Sequence, residues 1–339
     1  MSIPFPLTAL TQSRRIRATM AAAVLVKPGC FEFREAPIPV PGPGQVCIRL
    51  EGCGVDAASV AAWKGGDAFE YPLGPGAPGG EAWGRICETG EGVSGLAPGD
   101  RVAVLTQTGF AQYTVADASR VLALPDSLDE LPFPSWPLAG AVNVFRRSFI
   151  EKGDTVAVVG FGFLGALITE LAVLAEAKVV AVGRRPYALR LAKQLGASMA
   201  VVCKDAPEAA RTVEVIREMN RGALCDVVIE AAGNSDTLDL AAQLTRERGR
   251  LVLAGTHRDG SRRVDMDLWN RRGFDVINAH EVSTEILREG LNEAASALDC
   301  GLIDPRPLYT HRFSLARLDD ALRLAAERPP GFMKALVYF

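Results

Sequence analysis

The chain has 339 residues, 48% hydrophobic and 23% charged, with 37 Lys+Arg against 40 Asp+Glu for a formal net charge of −3. That apolar content excludes bulk disorder and suits about two domains, and the near-neutral balance argues against nucleic acid or an anionic membrane as partner. No apolar run reaches the roughly 18 residues of a spanning helix, and seven cysteines without a C-x-x-C pair predict reduced thiols in a cytoplasmic setting.

Residues 1–19 carry Arg14, Arg15 and Arg17 but no long apolar core, so they do not read as a secretory leader. They read as an arm, or as a misplaced start, ahead of the strand-like run AAAVLV that follows Met20. The first third is rich in Gly and Pro (PIPVPGPGQ, YPLGPGAPGG, GLAPGDRV). Between these turns lie short β-type runs, VCIRL at 46–50, RVAVL at 101–105 and the stretch around Tyr113 to Val115. Many short strands separated by turn chemistry predict a barrel or sandwich. Residues 137–149 read as a helix leading into a second domain.

From residue 155 six β-rich runs follow: TVAVVG, KVVAVG, AVVC, DVVIEAAG, RLVLAGT and FDVINAH. Helix-like stretches such as LGALITELAVLA and PYALRLAKQLGA fill four of the five intervals, while 257–273 is polar and gives no clear helix. Buried strands alternating with helices predict a doubly wound parallel sheet. One or two helices follow residue 285, and the closing strand MKALVYF is expected to rejoin the first domain.

The loop Gly160-Phe161-Gly162-Phe163-Leu164-Gly165 sits between the strand TVAVV and an apolar helix. In that context Gly160 permits the tight turn, Gly162 lets the backbone approach a pyrophosphate, and Gly165 allows close helix–strand contact. Phe163 and Leu164 open the helix whose N-terminus faces the phosphates. At the end of the second strand stands Gly183-Arg184-Arg185, where an acidic residue would bind a ribose 2′-hydroxyl. Two guanidiniums suit a 2′-phosphate, so NADPH is expected over NADH.

Further motifs complete a pattern: Cys53-Gly54-Val55, Pro78-Gly79-Gly80-Glu81, Gly90-Glu91-Gly92-Val93, Gly99-Asp100-Arg101-Val102 and Leu195-Gly196-Ala197. With the glycine loop they make the chain resemble the medium-chain dehydrogenase/reductase family, its zinc alcohol dehydrogenase group, over most of residues 20–339. The resemblance implies an α/β protein with a GroES-like β-barrel domain at 20–145, completed by 286–339, and a Rossmann dinucleotide-binding domain at 146–285. It also implies a nicotinamide cleft between them and a homodimer through the sixth strands.

The departures from that pattern carry the expectation about chemistry. Where zinc members have C-G-V-C-x-T/S-D, this chain places Asp56 at the ligand cysteine, Ala58 at the relay hydroxyl and Ser59 at the acid. G-H-E becomes Gly79-Gly80-Glu81, and the third ligand falls on Trp136. Catalytic zinc needs three protein donors, so a zinc-free site is expected. Candidate acid–base groups are His280, because imidazole is the side chain whose ordinary range lies near neutrality, and Asp56 with Glu81; Asn143 is a further polar candidate, and His257 a secondary one. For each a structural role stands beside the catalytic one: His280 as a loop histidine, Glu81 as an anchor, Trp136 as filling. Lys334 meets either the cofactor pyrophosphate or solvent.

The function expected is NADPH-dependent, zinc-independent hydride transfer to or from a carbonyl or alcohol of a small polar, sugar- or cyclitol-like specialised metabolite. Reduction of an activated C=C bond, redox-neutral epimerisation with retained nicotinamide, and non-catalytic NADPH binding remain as alternatives.

Overall fold

The computed structural model describes residues 18–66, 69–258 and 260–339; of the arm expected at 1–19, residues 1–17 lie outside the described residues, and Thr19 already opens the first strand. The first domain runs β1 (Thr19–Lys27), β2 (Cys30–Pro37), β3 (Gln45–Gly54), α1 (Ala57–Lys64), β4 (Glu81–Thr89), β5 (Arg101–Leu105), β6 (Tyr113–Asp117) and β7 (Val121–Ala123). Helix α2 (Ser135–Ser148) bridges to the second domain. There follow β8 (Thr155–Val159), α3 (Phe163–Leu174), β9 (Lys178–Gly183), α4 (Pro186–Gln194), β10 (Met199–Val202), α5 (Ala206–Met219), β11 (Cys225–Glu230), α6 (Ser235–Leu244), β12 (Thr245–Leu253), α7 (Met266–Arg272) and β13 (Asp275–Asn278). The chain closes with α8 (Thr284–Asp299), β14 (His311–Ser314), α9 (Leu318–Glu327) and β15 (Ala335–Tyr338).

All five residues of β8, TVAVV, are buried, as expected of β-branched residues in a strand covered on both faces. The second-domain strands lie parallel in the order β10-β9-β8-β11-β12-β13. The order reverses between β8 and β11, which opens a crevice beyond their carboxyl ends where ligands of such sheets bind. The interval that showed no clear helix contains α7, a short helix capped by Asp265, whose carboxylate accepts the Leu268 N–H at 2.9 Å. Helix α1 is also unanticipated; AASVAAWK is too short and too uniformly apolar to show a helical period.

The first-domain sheet has the order β14-β15-β3-β4-β5-β7, with β6 also pairing β3. The C-terminal strand therefore enters the N-terminal sheet: β15 pairs antiparallel with β3, Leu336 opposite Gly54 and Val337 opposite Cys53. One apolar core runs through both domains, joining Trp83, Leu105 and Phe133 to Val156, Val158 and Phe163. The two halves thus share buried surface and are held in a fixed relation.

Inside that core edge, Glu170 of α3 accepts the Asp304 N–H at 3.2 Å. Burial pushes its carboxyl from the ordinary 4.5 up to about 7, against the pull of that hydrogen bond. The folded state therefore holds this proton more tightly than the unfolded chain. The resulting stability is complete below the unfolded value and is lost as pH rises through about 7. In Glu170→Gln the drop in melting temperature between about pH 5 and about pH 8 is expected to shrink. A drop identical to wild type would place the proton elsewhere.

Candidate active site

Local chemistry first fixes the dinucleotide loop. Gly160 has φ +100°, and a Cβ there would lie 2.7 Å from the Ala232 backbone nitrogen, so only glycine makes this turn. A Cβ on Gly165 would lie 2.6 Å from the Gly160 carbonyl oxygen. A Cβ on Gly162, by contrast, would meet nothing within 4 Å: the backbone here faces open space. Phe163, Leu164 and Gly165 form the first turn of α3, whose N–H groups have no intrahelical acceptor. Packed glycines behind and an open backbone in front form a cradle that fits a pyrophosphate.

At the end of β9, Gly183 lies against Phe161. Arg185 turns inward: Nη1 donates to the Phe332 carbonyl and Nη2 to that of Phe161 at 3.4 Å. Arg184 is exposed. Arg328, just after α9, joins them, an approach that no sequence motif signals. Burial lowers the pKa of Arg185, and the positive charges of Arg328 and Arg184 lower it further. Burial likewise lowers that of Arg328, with Arg184 adding to it. Three guanidiniums repelling one another make a place for a multivalent anion.

Glu81, first residue of β4, and Lys334, just before β15, meet in the interior. Both are buried, at 3% and 5% exposure, and Lys334 Nζ pairs with Glu81 Oε2. The ammonium also donates to the Val55 carbonyl at 2.9 Å and lies 5.0 Å from the centre of the Phe163 ring. Phe163 in turn stacks on Tyr309 at 5.8 Å. Gly54 makes the pair possible, because a Cβ there would stand 1.9 Å from Glu81 Oε2. Burial pushes the Glu81 carboxyl up to about 7; Lys334 pulls it down and the Asp56 charge raises it. Lys334, expected at the pyrophosphate or in solvent, thus has its amine inside the barrel domain and touches the dinucleotide loop only through Phe163.

Asp56 caps α1: Oδ1 accepts from Ser59 N at 2.6 Å and Ser59 Oγ at 2.5 Å. Its other oxygen faces Gly80. A Cβ built on Gly80 would lie 3.6 Å from Asp56 Oδ2, 3.8 Å from Trp136 Cδ1 and 3.9 Å from Gln107 Oε1. The structure therefore brings Asp56, Gly80 and Trp136 to one place. Zinc asks for three protein donors with N, S or O lone pairs and an open position. Here stand one carboxylate, one amide and an indole N–H with no lone pair to offer, while Glu81 is committed to an ammonium. This donor set does not fit a tetrahedral zinc, and among the described residues no group of three or more His, Cys, Asp or Glu converges.

The remaining candidates lie apart. Asn143 is buried on α2 and its amide donates to the Ala279 carbonyl at 2.8 Å, so it fixes the segment after β13. His280, next in that segment, is exposed, and its backbone N–H donates to Asn278 Oδ1 at 3.1 Å. His257 Nε2 sits 3.0 Å from buried Glu230, and Arg262 Nε donates to its Nδ1 at 3.0 Å, so both ring nitrogens are engaged.

Two family models match the chain: the alcohol dehydrogenase GroES-like domain over residues 42–126 and the zinc-binding dehydrogenase domain over 164–296. Sorbitol dehydrogenase of Gallus gallus is 28% identical over 337 residues, covering 88% of this chain and 91% of that protein. An alcohol dehydrogenase of Rhizobium meliloti strain 1021 is 32% identical over 270 residues, covering 70% and 77%. Among solved structures, a chain described as a zinc-binding dehydrogenase of Sinorhizobium meliloti 1021, bound to NADP, superposes with TM-score 0.81 at 26% identity, covering 95% of this chain and 100% of that one. A thermostable alcohol dehydrogenase of Pyrobaculum aerophilum gives 0.79 at 27% identity, covering 95% and 100%.

Proposed function

Because the chain belongs to the medium-chain dehydrogenase/reductase family, and is an oxidoreductase on that ground, we propose that it transfers hydride between NADP(H) and a small polar alcohol or carbonyl without zinc. The single observation that carries the metal-free reading is the donor set around Gly80, where Asp56, Gln107 and Trp136 stand. The reading of NADP(H) rests on the three clustered guanidiniums of Arg184, Arg185 and Arg328. The sugar-like substrate class rests on the hydrogen-bonding groups near Gly80 and on the sorbitol dehydrogenase relatives.

The bound dinucleotide supplies the hydride acceptor or donor. The chain's own residues do the rest. The loop Gly160 to Gly165 holds the pyrophosphate; Arg184 and Arg328 hold the 2′-phosphate, while Arg185 fixes the segment carrying Phe332. Asp56 exchanges the hydroxyl proton with the substrate. The Glu81–Lys334 pair sets the charge behind it, and Asn143 fixes the Ala279–His280 segment. The working unit is a homodimer joined at the β13 edges, in a reducing cytoplasm; exposed Val276 on that edge suits such a joint.

The test combines metal analysis with NADPH and NADH titrations on purified protein. Expected are no stoichiometric zinc and tighter NADPH than NADH. Arg184→Ala is expected to weaken NADPH about 10- to 100-fold, the loss of one charge-assisted contact, and to leave NADH unchanged. One equivalent of zinc, or tighter NADH, overturns the reading.

A further inference from the structure

Two cysteines stand where β3 and β4 fall out of step. Cys47 lies opposite Glu88 and the next pair is Ile48 opposite Ile86, so Cys87 is the extra residue of a bulge. A bulge sets two residues of one strand against one of the other, and here Cys87 and Glu88 together face Cys47. The Cys87 thiol donates to the Cys47 carbonyl oxygen at 3.2 Å. Its sulfur is also a hydrogen-bond partner of the Cys47 thiol. Facing residues of antiparallel strands have Cα atoms about 4.5–5.5 Å apart, inside the roughly 4.4–6.8 Å that a disulfide spans.

The two sulfurs differ in what can reach them. Cys47 is buried, at 1% exposure, whereas Cys87 is exposed on the outer side of the strand pair. Burial pushes the Cys47 thiol up to about 12, and the Cys87 thiol and the Glu88 charge push the same way. A dissolved oxidant therefore meets Cys87 first. A cysteine oxidised to sulfenic acid with a second thiol beside it condenses to a disulfide; one without a neighbour goes on to sulfinic acid.

We propose that Cys87 and Cys47 are a peroxide-sensitive thiol pair that closes into a reversible disulfide, with Cys87 as the sulfur that meets the oxidant. The oxidant is a hydroperoxide, ROOH. The Cys87 thiolate attacks the terminal peroxide oxygen; the S–O bond forms, the O–O bond breaks, and the alkoxide leaves as ROH with the proton the thiol gave up. The Cys47 sulfur then attacks the Cys87 sulfur. The S–S bond forms, the S–O bond breaks, and hydroxide leaves as water with the Cys47 proton. The two sulfurs together lose two electrons, and ROOH is reduced to ROH and water. A dithiol reductant reopens the bond by exchange. The bond joins positions 40 apart in the chain. The enclosed segment carries α1, Asp56, Gly80 and Glu81. The inference is independent of the dehydrogenase reading above.

The test treats folded, full-length protein with hydrogen peroxide, blocks remaining thiols with an alkylating agent and maps the peptides by mass spectrometry. Expected is a cross-linked peptide joining Cys47 to Cys87, lighter by two hydrogens than the separate peptides and abolished by dithiothreitol. Cys87→Ser is expected to leave Cys47 reduced under the same treatment. Cys47→Ala is expected to leave Cys87 as a sulfenic acid that dimedone captures. Because a disulfide restricts the unfolded chain, the oxidised protein is expected to melt about 3 °C or more above the reduced one. Sulfinic acid at Cys87 with Cys47 still free, a Cys87 disulfide between two chains, or unreacted thiols at both positions overturns the proposal. A cross-link that forms only in urea, or that lowers the melting temperature, shows that the native strands do not hold the bond and overturns it as well.

Discussion

Lys334→Met is expected to destabilise the protein by about 3–5 kcal/mol, the cost of leaving one partner of a buried ion pair uncompensated. Methionine keeps the length of the side chain and removes the charge. Glu81 is then a carboxylate at 3% exposure with its ammonium gone. Its burial already pushes its pKa up, and Lys334 was the chief influence pulling the other way. The mutant therefore folds with Glu81 protonated, and its defect shrinks as pH falls toward the unfolded carboxyl value. The double variant Lys334→Met/Glu81→Gln is expected to recover much of the loss, because no lone charge remains. Urea melts of wild type, Lys334→Met, Glu81→Gln and the double variant at two pH values measure this. A single variant as stable as wild type would show that the pair is solvated rather than buried.

Asp56→Asn is the sharpest test of the chemistry. Asparagine caps a helix as well as aspartate does, so α1 and its bonds to Ser59 survive. What is lost is the ability to take a proton at the oxygen facing Gly80. A positioned general base contributes roughly 10²- to 10⁴-fold, and kcat is expected to fall by that order with melting temperature and NADPH affinity little changed. His280→Ala serves as the comparison. That histidine is exposed, and turnover within about twofold of wild type is expected from it. The opposite pattern would move the proton from Asp56 to His280.

The two halves of the site differ in how far they could be read from the chain alone. The cofactor loop is local: three glycines, a strand before and a helix after are all within a dozen neighbours, and the turn they make is dictated by backbone sterics. The β15 strand was expected to rejoin the first domain from its lack of a place in a six-stranded sheet, and it pairs with β3. Asp56, Gly80 and Trp136 were brought together by resemblance, not by spacing. The Glu81–Lys334 pair was not legible, because an ion pair between the first domain and the last strand depends on a close approach that only Gly54 permits. Arg328 was hidden because only the packing of the chain, not any local motif, brings it to Arg184 and Arg185. Asn143 shows a different limit. Resemblance and polarity made it a candidate near the nicotinamide, and neither signals that its amide donates to the backbone carbonyl of Ala279 after β13. Sequence gives the chemical capacity of a side chain and not the direction in which it is spent.

The lysine in the barrel also constrains how the molecule comes into being. Glu81 is made long before its counterion, which follows 253 positions later in the chain. Until the stretch bearing Lys334 leaves the ribosome, a nascent first domain that closed over Glu81 would enclose an acid without its mate. Vectorial synthesis therefore cannot complete this half before the second domain has been made; emergence of the β15 segment is the event that lets the pair assemble.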